Sequence, residues 1–248
     1  MREEMYGEMA AIQATHWWFR GRRRVVASLL RRWTPSGPLL VADIGCGPGV
    51  NVAMLTEFGR VVAMDPSPHA LALARGHRGT ALVSAGMPHL CFPDATFDVV
   101  CALDVIEHVD DDRAAARELW RVCKPEGLLV VTVPSYDWLW SPHDEANEHR
   151  RRYTRPQLAA CLATPAATVL KLSYMNTLLA PAVVAVRLTR NFARWMAGRP
   201  LEARSDLSPV APVLNRMLEA SSAVEARWLG QATFPFGTSL IYVGRKRG

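Results

Sequence analysis

The sequence contains little lysine, no paired cysteine motif and no long apolar run. Of its 29 lysine and arginine residues, only Lys124, Lys171 and Lys246 are lysines. The cysteines are widely spaced without a C-x-x-C pair, which favours a reduced protein over a disulfide framework. The most apolar stretch, LLAPAVVAV at 178–186, is shorter than the ~20 residues that span a bilayer. Because MREEMYGEMA also lacks the apolar segment of a secretory signal, we expect a cytoplasmic protein.

Arginine provides most of the positive charge, which amounts to a formal net charge of +6. The arginines cluster at 20–24, 31–32 and 150–152. A basic patch suits nucleic acid, acidic lipid or an anionic substrate. The sequence has no signature of an RNA- or DNA-binding module, so we interpret these arginines as solvated helix faces and expect no nucleic-acid partner.

Apolar runs alternate with helix-like segments along the first half of the chain. A buried parallel strand is a short apolar run, whereas an amphipathic helix repeats its apolar residues every three or four positions. This alternation is typical of a doubly wound parallel sheet that binds ligands at the carboxyl ends of its strands. The predicted strands are 39–45, 60–65, 80–84, 97–104 and 127–134, and the predicted helices are 15–33, 51–58, 68–75 and 110–122.

The second half of the chain is less regular. Residues 167–174 and 238–246 have the composition of two further strands. The segment between them is mostly helical in pattern and is broken near GRPLEARSDLSP at 198–209. Because it is too long for a hairpin turn, we predict a helical cap over the active edge of the sheet.

A glycine-rich loop is the most informative motif in the chain. In VADIGCGPG, a strand ends at the loop and a helix is predicted to follow, so backbone N–H groups and a ligand can approach closely. Asp65 ends the next strand, where a carboxylate accepts hydrogen bonds from ribose hydroxyls. Val50 occupies the place of the final glycine of a dinucleotide fingerprint. The Asp43 carboxylate suits a ligand with an ammonium group better than a pyrophosphate.

Five segments together resemble the class I S-adenosylmethionine-dependent methyltransferases, specifically the small-molecule "type 11" group. They occur in the family's order between 39 and 135, and they are VADIGCGPG, VVAMDPSP, MPHLCFPDATFDVV, ALDVIEHVDD and LWRVCKPEGLLVVTVPS. The resemblance implies an α/β, Rossmann-like doubly wound sheet with an N-terminal helix and a helical cap inserted before the last strand. The corresponding units are an N-terminal helical lid (1–36), the cofactor-binding core (37–174), the cap (175–236) and the final core strand (237–248).

The resemblance also assigns the cofactor, S-adenosylmethionine, with S-adenosylhomocysteine as product. It implies that a loop surrounds the methionine moiety, that Asp65 binds the ribose and that Pro66 lies beside the adenine. In many relatives an acid stands where this chain has Gly86. The implied binding residues are Trp18, Arg22, Asp43, Gly45, Cys46, Gly47, Asp65, Pro66, Gly86, Met87, Asp104, Val105 and His108.

The segment HDEANEHRRRYT, 143–154, contains two histidines, three acids and three arginines. Three interpretations are open: a salt-bridged loop between sheet and cap, a general base from His143 or His149, and a metal site formed by these histidines with Asp144 and Glu148. The adjoining arginines disfavour a cation, so we predict no metal. His108 is a third candidate for the base, since histidine suits proton transfer near neutral pH.

The acceptor pocket is predicted to follow the fifth strand. Tyr136, Trp138, Trp140 and His143, with the apolar cap, would form a broad lining for a bulky, partly apolar molecule. We therefore predict methylation of a small natural-product-type acceptor, by default at a hydroxyl oxygen. Three alternatives remain open: a lipid-linked acceptor reached by peripheral membrane contact, a cofactor-binding protein without transfer activity (a cyclase or partner subunit), and an NAD-dependent oxidoreductase.

Overall fold

A single seven-stranded sheet organises the chain in the computed structural model, which describes residues 3–77, 79–196 and 210–248. The strands are β1 (Leu39–Ile44), β2 (Gly59–Asp65), β3 (Thr80–Ser84), β4 (Phe97–Leu103), β5 (Cys123–Pro134), β6 (Ala167–Met175) and β7 (Ser239–Lys246). Their spatial order is β3-β2-β1-β4-β5-β7-β6. All seven strands predicted from the sequence are present, with ends that differ by a few residues.

The strand–helix alternation predicted a parallel sheet, but the sheet is only partly parallel. Strands β1 to β5 are parallel, whereas β7 lies between β5 and β6 and is antiparallel to both. The two last strands therefore form a hairpin with a long helical insertion. Antiparallel neighbours need no crossover helix, so the alternation carries no information on their direction.

Helices cover both faces of the sheet and the ends of its strands. They are α1 (Glu3–Ile12), α2 (Trp17–Trp33), α3 (Val52–Leu55), α4 (Pro68–Leu73), α5 (Asp112–Val122), α6 (Pro142–Ala146), α7 (Arg155–Cys161), α8 (Ala180–Met196) and α9 (Pro212–Leu229). The helix predicted over 51–58 is only the single turn α3. The pattern predicted neither a separate α1 nor the short helices α6 and α7.

Two apolar clusters form the core, one on each face of the sheet. Alternate residues of β4 point to opposite faces, so Val99 and Cys101 belong to one cluster while Val100 and Ala102 belong to the other. The first cluster packs under α2 and α3, and the second under α5 and α7. Burial on both faces explains why these strands are continuous apolar runs.

The predicted helical cap is present as α8 and α9, between β6 and β7. Helix α9 packs on α2, where a Cβ on Gly21 would lie 2.6 Å from the Ser222 side chain. Arg20 and Arg24 of α2 both form ion pairs with Glu219 of α9. The predicted break at 198–209 falls outside the described residues. Among those described, no helix is both long and apolar enough to cross a membrane.

Candidate active site

A cavity of about 1600 Å³ opens at the carboxyl ends of the central parallel strands. It lies between the glycine loop, helix α2 and the cap, where doubly wound sheets bind ligands. Typical small-molecule pockets measure ~300–1000 Å³, so two ligands have room here. Most of the predicted site residues line it, namely Trp18, Arg22, Gly45, Cys46, Gly47, Asp65, Pro66, Gly86, Met87, Asp104, Val105, His108, His143 and His149.

The glycine loop forms one wall of the cavity in a conformation that requires glycine. Gly45 and Gly47 have φ angles of 70° and 54°, in the left-handed region. A Cβ on Gly45 would lie 2.6 Å from the Val105 side chain. The backbone N–H groups of Gly45 and Cys46 both donate to the Met64 carbonyl, at 2.7 and 2.9 Å, which holds the loop against the end of β2.

Asp65 lies at the end of β2, beside the loop. One carboxylate oxygen accepts a hydrogen bond from the Gly47 N–H and the other from the Ser67 N–H, both at 2.9 Å. Burial raises the pKa of Asp65, and these hydrogen bonds together with one from the Tyr6 hydroxyl oppose that rise. The carboxylate is therefore fixed in place and faces the cavity.

Tyr6 of α1 is a site residue that the sequence did not single out. It lines the cavity, and a Cβ on Gly47 would lie 3.9 Å from its ring. Burial, with the nearby Asp65 charge, raises the pKa of the Tyr6 hydroxyl, so the group stays protonated and can donate to Asp65. No local pattern in EEMYGEMAAI distinguishes this tyrosine from one that faces solvent.

Arg22 and Asp104 form a largely buried ion pair in the cavity wall. Arg22 of α2 is 5% exposed and donates to one Asp104 oxygen, while the Thr132 hydroxyl donates to the other at 2.9 Å. The Arg22 guanidinium also lies 4.6 Å from the centre of the Trp18 ring. The pairing brings the predicted lid residues and the amino-acid end of the site into direct contact.

Asp43 lies behind the cavity rather than in its wall. It is 1% exposed, and neither of its carboxylate oxygens has a hydrogen-bond partner in the described part of the chain. Burial raises the pKa of Asp43 to about 7. The nearby Arg22 charge lowers this pKa, and the Asp65 charge raises it further. Buried polar groups are almost always satisfied, so this orphaned carboxylate indicates a place for a positively charged ligand group.

Glu107, His108 and His149 form another part of the cavity wall, just after Asp104 and Val105 in the chain. One ligand-capable atom from each lies within 4.8 Å of the others, and the two imidazole rings meet edge to face with centroids 4.7 Å apart. Burial raises the pKa of Glu107 well above its ordinary value and lowers that of His108 to about 3. At neutral pH His108 is therefore an uncharged imidazole. His143 lies next to this group, with its ring centroid 6.2 Å from that of His149.

The segment 143–154 forms the wall that carries His143 and His149. Asp144 is completely buried and accepts hydrogen bonds from Arg152 and from the Nδ1 atom of His149, the latter at 2.8 Å. Backbone hydrogen bonds from Tyr153 to Pro134 and from Arg150 to Glu107 fasten the segment to β5 and to the 3₁₀ turn Ile106–His108. The salt bridges predicted for this segment are therefore present.

Three predicted acceptor residues are not in the cavity. Tyr136 stacks on Tyr174 and Phe236, with ring centroids 5.1 and 5.4 Å away, while Trp138 is 49% exposed. The Trp140 indole donates to Glu145. The prediction that Tyr136, Trp138 and Trp140 line the acceptor pocket is therefore wrong for this cavity. Tyr136 stands directly before the 3₁₀ turn Asp137–Leu139 and Trp140 directly after it, and ring stacking on Phe236 holds Tyr136 and Trp138 outside the cavity.

The cap provides the apolar lining instead. Leu179 and Val183 at the start of α8, with Leu214 and Leu218 of α9, face the cavity. A helical cap over this edge of the sheet, with apolar residues lining the pocket, was predicted from the sequence, but helical periodicity alone could not show which of its side chains face the cavity.

Known proteins with the same elements support this arrangement. Residues 42–131 match the methyltransferase domain family. A probable S-adenosylmethionine-dependent methyltransferase of Mycobacterium tuberculosis is 34% identical over 48% of this chain and 43% of its own length. A ubiquinone biosynthesis O-methyltransferase of Bradyrhizobium diazoefficiens is 33% identical over 41% of this chain and 42% of its own length. The matches thus span less than half the length of these relatives.

Solved structures extend the likeness in fold beyond the matched segment. The [4+2]-cyclase SpnF superimposes with a TM-score of 0.56 at 19% identity, over 90% of this chain and 81% of its own. The predicted fold is therefore confirmed, and the predicted resemblance to the methyltransferases is confirmed by the family match over residues 42–131.

Proposed function

We propose that this protein is an S-adenosylmethionine-dependent methyltransferase that methylates a hydroxyl oxygen of a small, partly hydrophobic molecule. The observation that carries this proposal is one cavity that is lined by two chemically different groups of residues. The glycine loop and Asp65 form the first group, and three histidines under an apolar cap form the second. A donor and an acceptor can thus meet inside one enclosed space, and their alignment and desolvation are the main requirements of methyl transfer.

The residues of the first group fit the cofactor. Asp65 is placed to accept from ribose hydroxyls, and the left-handed glycines leave the loop backbone open to the ligand. The orphaned Asp43 carboxylate and Asp104 favour an ammonium group, while Arg22 suits a carboxylate. S-adenosylmethionine has all three groups and, when bound, contributes a methyl group activated by its sulfonium.

The residues of the second group fit the acceptor. Leu179, Val183 and Leu218 provide apolar surface for its body. Deprotonation of a hydroxyl is the predicted role of His108, His143 or His149, all of which line the cavity. The name of the relative from ubiquinone biosynthesis, an O-methyltransferase, supports oxygen as the acceptor atom.

The first test is a calorimetric titration of the purified chain with S-adenosylhomocysteine, with NAD as the control ligand. We expect micromolar binding of the first and none of the second. Transfer of labelled methyl groups from the donor to a panel of phenols, amines and carboxylates then identifies the acceptor atom. The loss of S-adenosylhomocysteine binding, or preferential binding of NAD, would contradict the proposal. Binding without transfer to any acceptor would favour a cofactor-binding protein that does not methylate, because the fold is shared with a cyclase.

A lipid-linked acceptor is a second candidate, favoured by the outer face of the cap. Val213, Met217 and Trp228 of α9 are 69%, 65% and 61% exposed. Both acids of this helix, Glu219 and Glu225, are buried, so its exposed charge is basic. An apolar and basic helix face suits an anionic membrane surface. Co-sedimentation with phosphatidylglycerol vesicles but not with phosphatidylcholine vesicles would favour this acceptor, and no co-sedimentation with either would favour a free small molecule.

A further inference from the structure

We infer that Glu107, His108 and His149 form a site for a divalent transition-metal ion, such as Zn²⁺ or Mn²⁺, in the part of the cavity assigned to the acceptor. This inference rests on the proposed function and specifies how the acceptor hydroxyl is activated. It also reverses the prediction of no metal made from the sequence. That prediction considered residues 143–154 as a group of ligands and did not include Glu107, which joins them only in the folded chain.

The positions of the three side chains fit a metal ion. Their ligand-capable atoms lie within 4.8 Å of one another, and all three residues line the cavity. Bonds of ~2.0–2.2 Å in a tetrahedral zinc site place two ligand atoms about 3.4 Å apart, so side-chain movements of about 1 Å would close the site. Two histidines and one glutamate are a ligand set found in catalytic zinc sites, where further positions stay open for water or substrate.

The Glu107 carboxylate is the observation that points to a missing partner. Glu107 is 0% exposed, and neither of its oxygens has a hydrogen-bond partner among residues 3–77, 79–196 and 210–248. An unsatisfied buried acid is strongly unfavourable unless it is paired or coordinates a metal. The two histidines beside it provide the other donors of such a site.

His149 is oriented in the way that metal-ligating histidines usually are. Its Nδ1 atom contacts the buried Asp144 carboxylate at 2.8 Å, which leaves Nε2 to face Glu107 and His108. A carboxylate on the far nitrogen fixes the tautomer and ring orientation and makes the ligating nitrogen more basic. Asp144 is held in turn by two hydrogen bonds from Arg152, so the residues that orient His149 are themselves fixed in place.

The nearby arginines do not oppose a cation, contrary to the expectation from the sequence. Arg150 and Arg151 form ion pairs with Asp110 and Asp112, at 3.4 and 3.1 Å. The charges of Arg152 and Arg22 are matched by Asp144 and Asp104, respectively. Glu107 itself forms no ion pair in the described part of the chain, and Arg22 and Arg152, which act on it from a distance, have acids of their own.

The chemical role of the ion is Lewis-acid polarisation of the acceptor hydroxyl, which lowers the pKa of that hydroxyl. The proton passes to a neighbouring base, for which His143 is placed. The acceptor oxygen forms its bond to the methyl carbon as the carbon–sulfur bond breaks, and a neutral thioether leaves. With His108 and His149 as ligands, His143 is the histidine of this group that remains for proton transfer.

The test is a titration of the chelator-stripped full chain with Zn²⁺, Mn²⁺ or Co²⁺ alone, without cofactor or acceptor. We expect one equivalent to bind, a rise in Tm, and a Co²⁺ absorption spectrum typical of nitrogen and oxygen ligands. Glu107→Gln and His149→Gln should each weaken binding by at least about tenfold. His69→Ala changes an exposed histidine of α4 and serves as the matched control.

S-adenosylhomocysteine affinity is measured on the same samples, so that a failure of the metal-site proposal can be distinguished from a failure of the proposed function. A stripped chain that binds S-adenosylhomocysteine but none of the three metals would overturn the metal site and leave the proposed function standing. Metal binding that is as strong in both cluster variants as in the unmodified chain would also overturn it. If either variant fails to fold, the other variant and the Co²⁺ spectrum of the unmodified chain decide the outcome.

Discussion

Arg152 holds Asp144 through two parallel hydrogen bonds, from Nε to one carboxylate oxygen at 2.9 Å and from Nη2 to the other at 2.8 Å. Both side chains are almost completely buried, and Asp144 is also paired with His149. These partners lower the pKa of Asp144 despite the opposing effect of burial. Through this pair the histidine wall of the cavity is fastened to the end of β5.

Arg152→Ala should therefore lower the free energy of unfolding by about 3–5 kcal/mol, because it leaves a buried charge without its main partner. Arg150→Ala removes an arginine from an exposed ion pair in the same segment and should change stability by less than about 0.5 kcal/mol. Urea unfolding followed by tryptophan fluorescence measures both. Equal effects of the two substitutions would show that the buried pair does not stabilise the wall.

Asp65→Ala should weaken S-adenosylhomocysteine binding by about 2 kcal/mol, or roughly 30-fold, because the ribose hydroxyls lose a charged acceptor. Asp94→Ala, which removes an exposed carboxylate paired with Arg121, is the control and should leave the affinity unchanged. Isothermal titration calorimetry gives both values. An unaltered affinity in the Asp65 variant would reject its role at the ribose.

The affinity for S-adenosylhomocysteine should rise with pH through the pKa of Asp43. Burial raises that pKa to about 7, so the carboxylate is mostly protonated at pH 6 and mostly ionised at pH 8. Only the ionised form attracts the ligand's ammonium group, so the apparent affinity follows the ionised fraction and increases by about tenfold between these values.

Calorimetry at pH 6, 7 and 8 measures this dependence, with Asp43→Asn as the comparison. The amide cannot ionise, so its affinity should not change over the same range. A pH profile that is the same in both proteins would assign the ammonium group to Asp104 alone.

His143→Ala should lower kcat by about 10²- to 10⁴-fold, because the acceptor hydroxyl loses the group that takes its proton. S-adenosylhomocysteine affinity should not change, since His143 lies in the part of the cavity assigned to the acceptor. Single-turnover methyl transfer with the identified acceptor measures the effect, and His69→Ala is the control. Full turnover in the His143 variant would leave that residue a purely structural role.

Much of the donor site could be predicted from the sequence. The loop glycines and Asp65 are close in the chain to the strands that position them, so a local motif contains almost the whole geometry. Gly45 adopts the positive φ that its position in the motif indicates. The strand boundaries are also well predicted, because continuous apolar runs follow directly from burial on both faces.

The acceptor site could not be predicted in the same way. The aromatic residues after β5 were assigned to the pocket from their order in the chain, but a 3₁₀ turn and stacking on Phe236 hold Tyr136 and Trp138 outside it. Tyr6 reaches Asp65 from α1 across a large separation in sequence. Side-chain direction after a turn, and the docking of a helix, depend on contacts that no local pattern encodes.

The sequence by itself determined the fold class, the glycine loop and the position of Asp65 beside it, because strand periodicity and backbone conformation are local properties of neighbouring residues. Only the tertiary structure decided that Glu107 lies beside His108 and His149, and that Arg22 closes on Asp104. These contacts join α2, the end of β4 and the segment after β5. These contacts form only when the whole sheet has packed, because that packing brings charged residues from distant parts of the chain to one cavity.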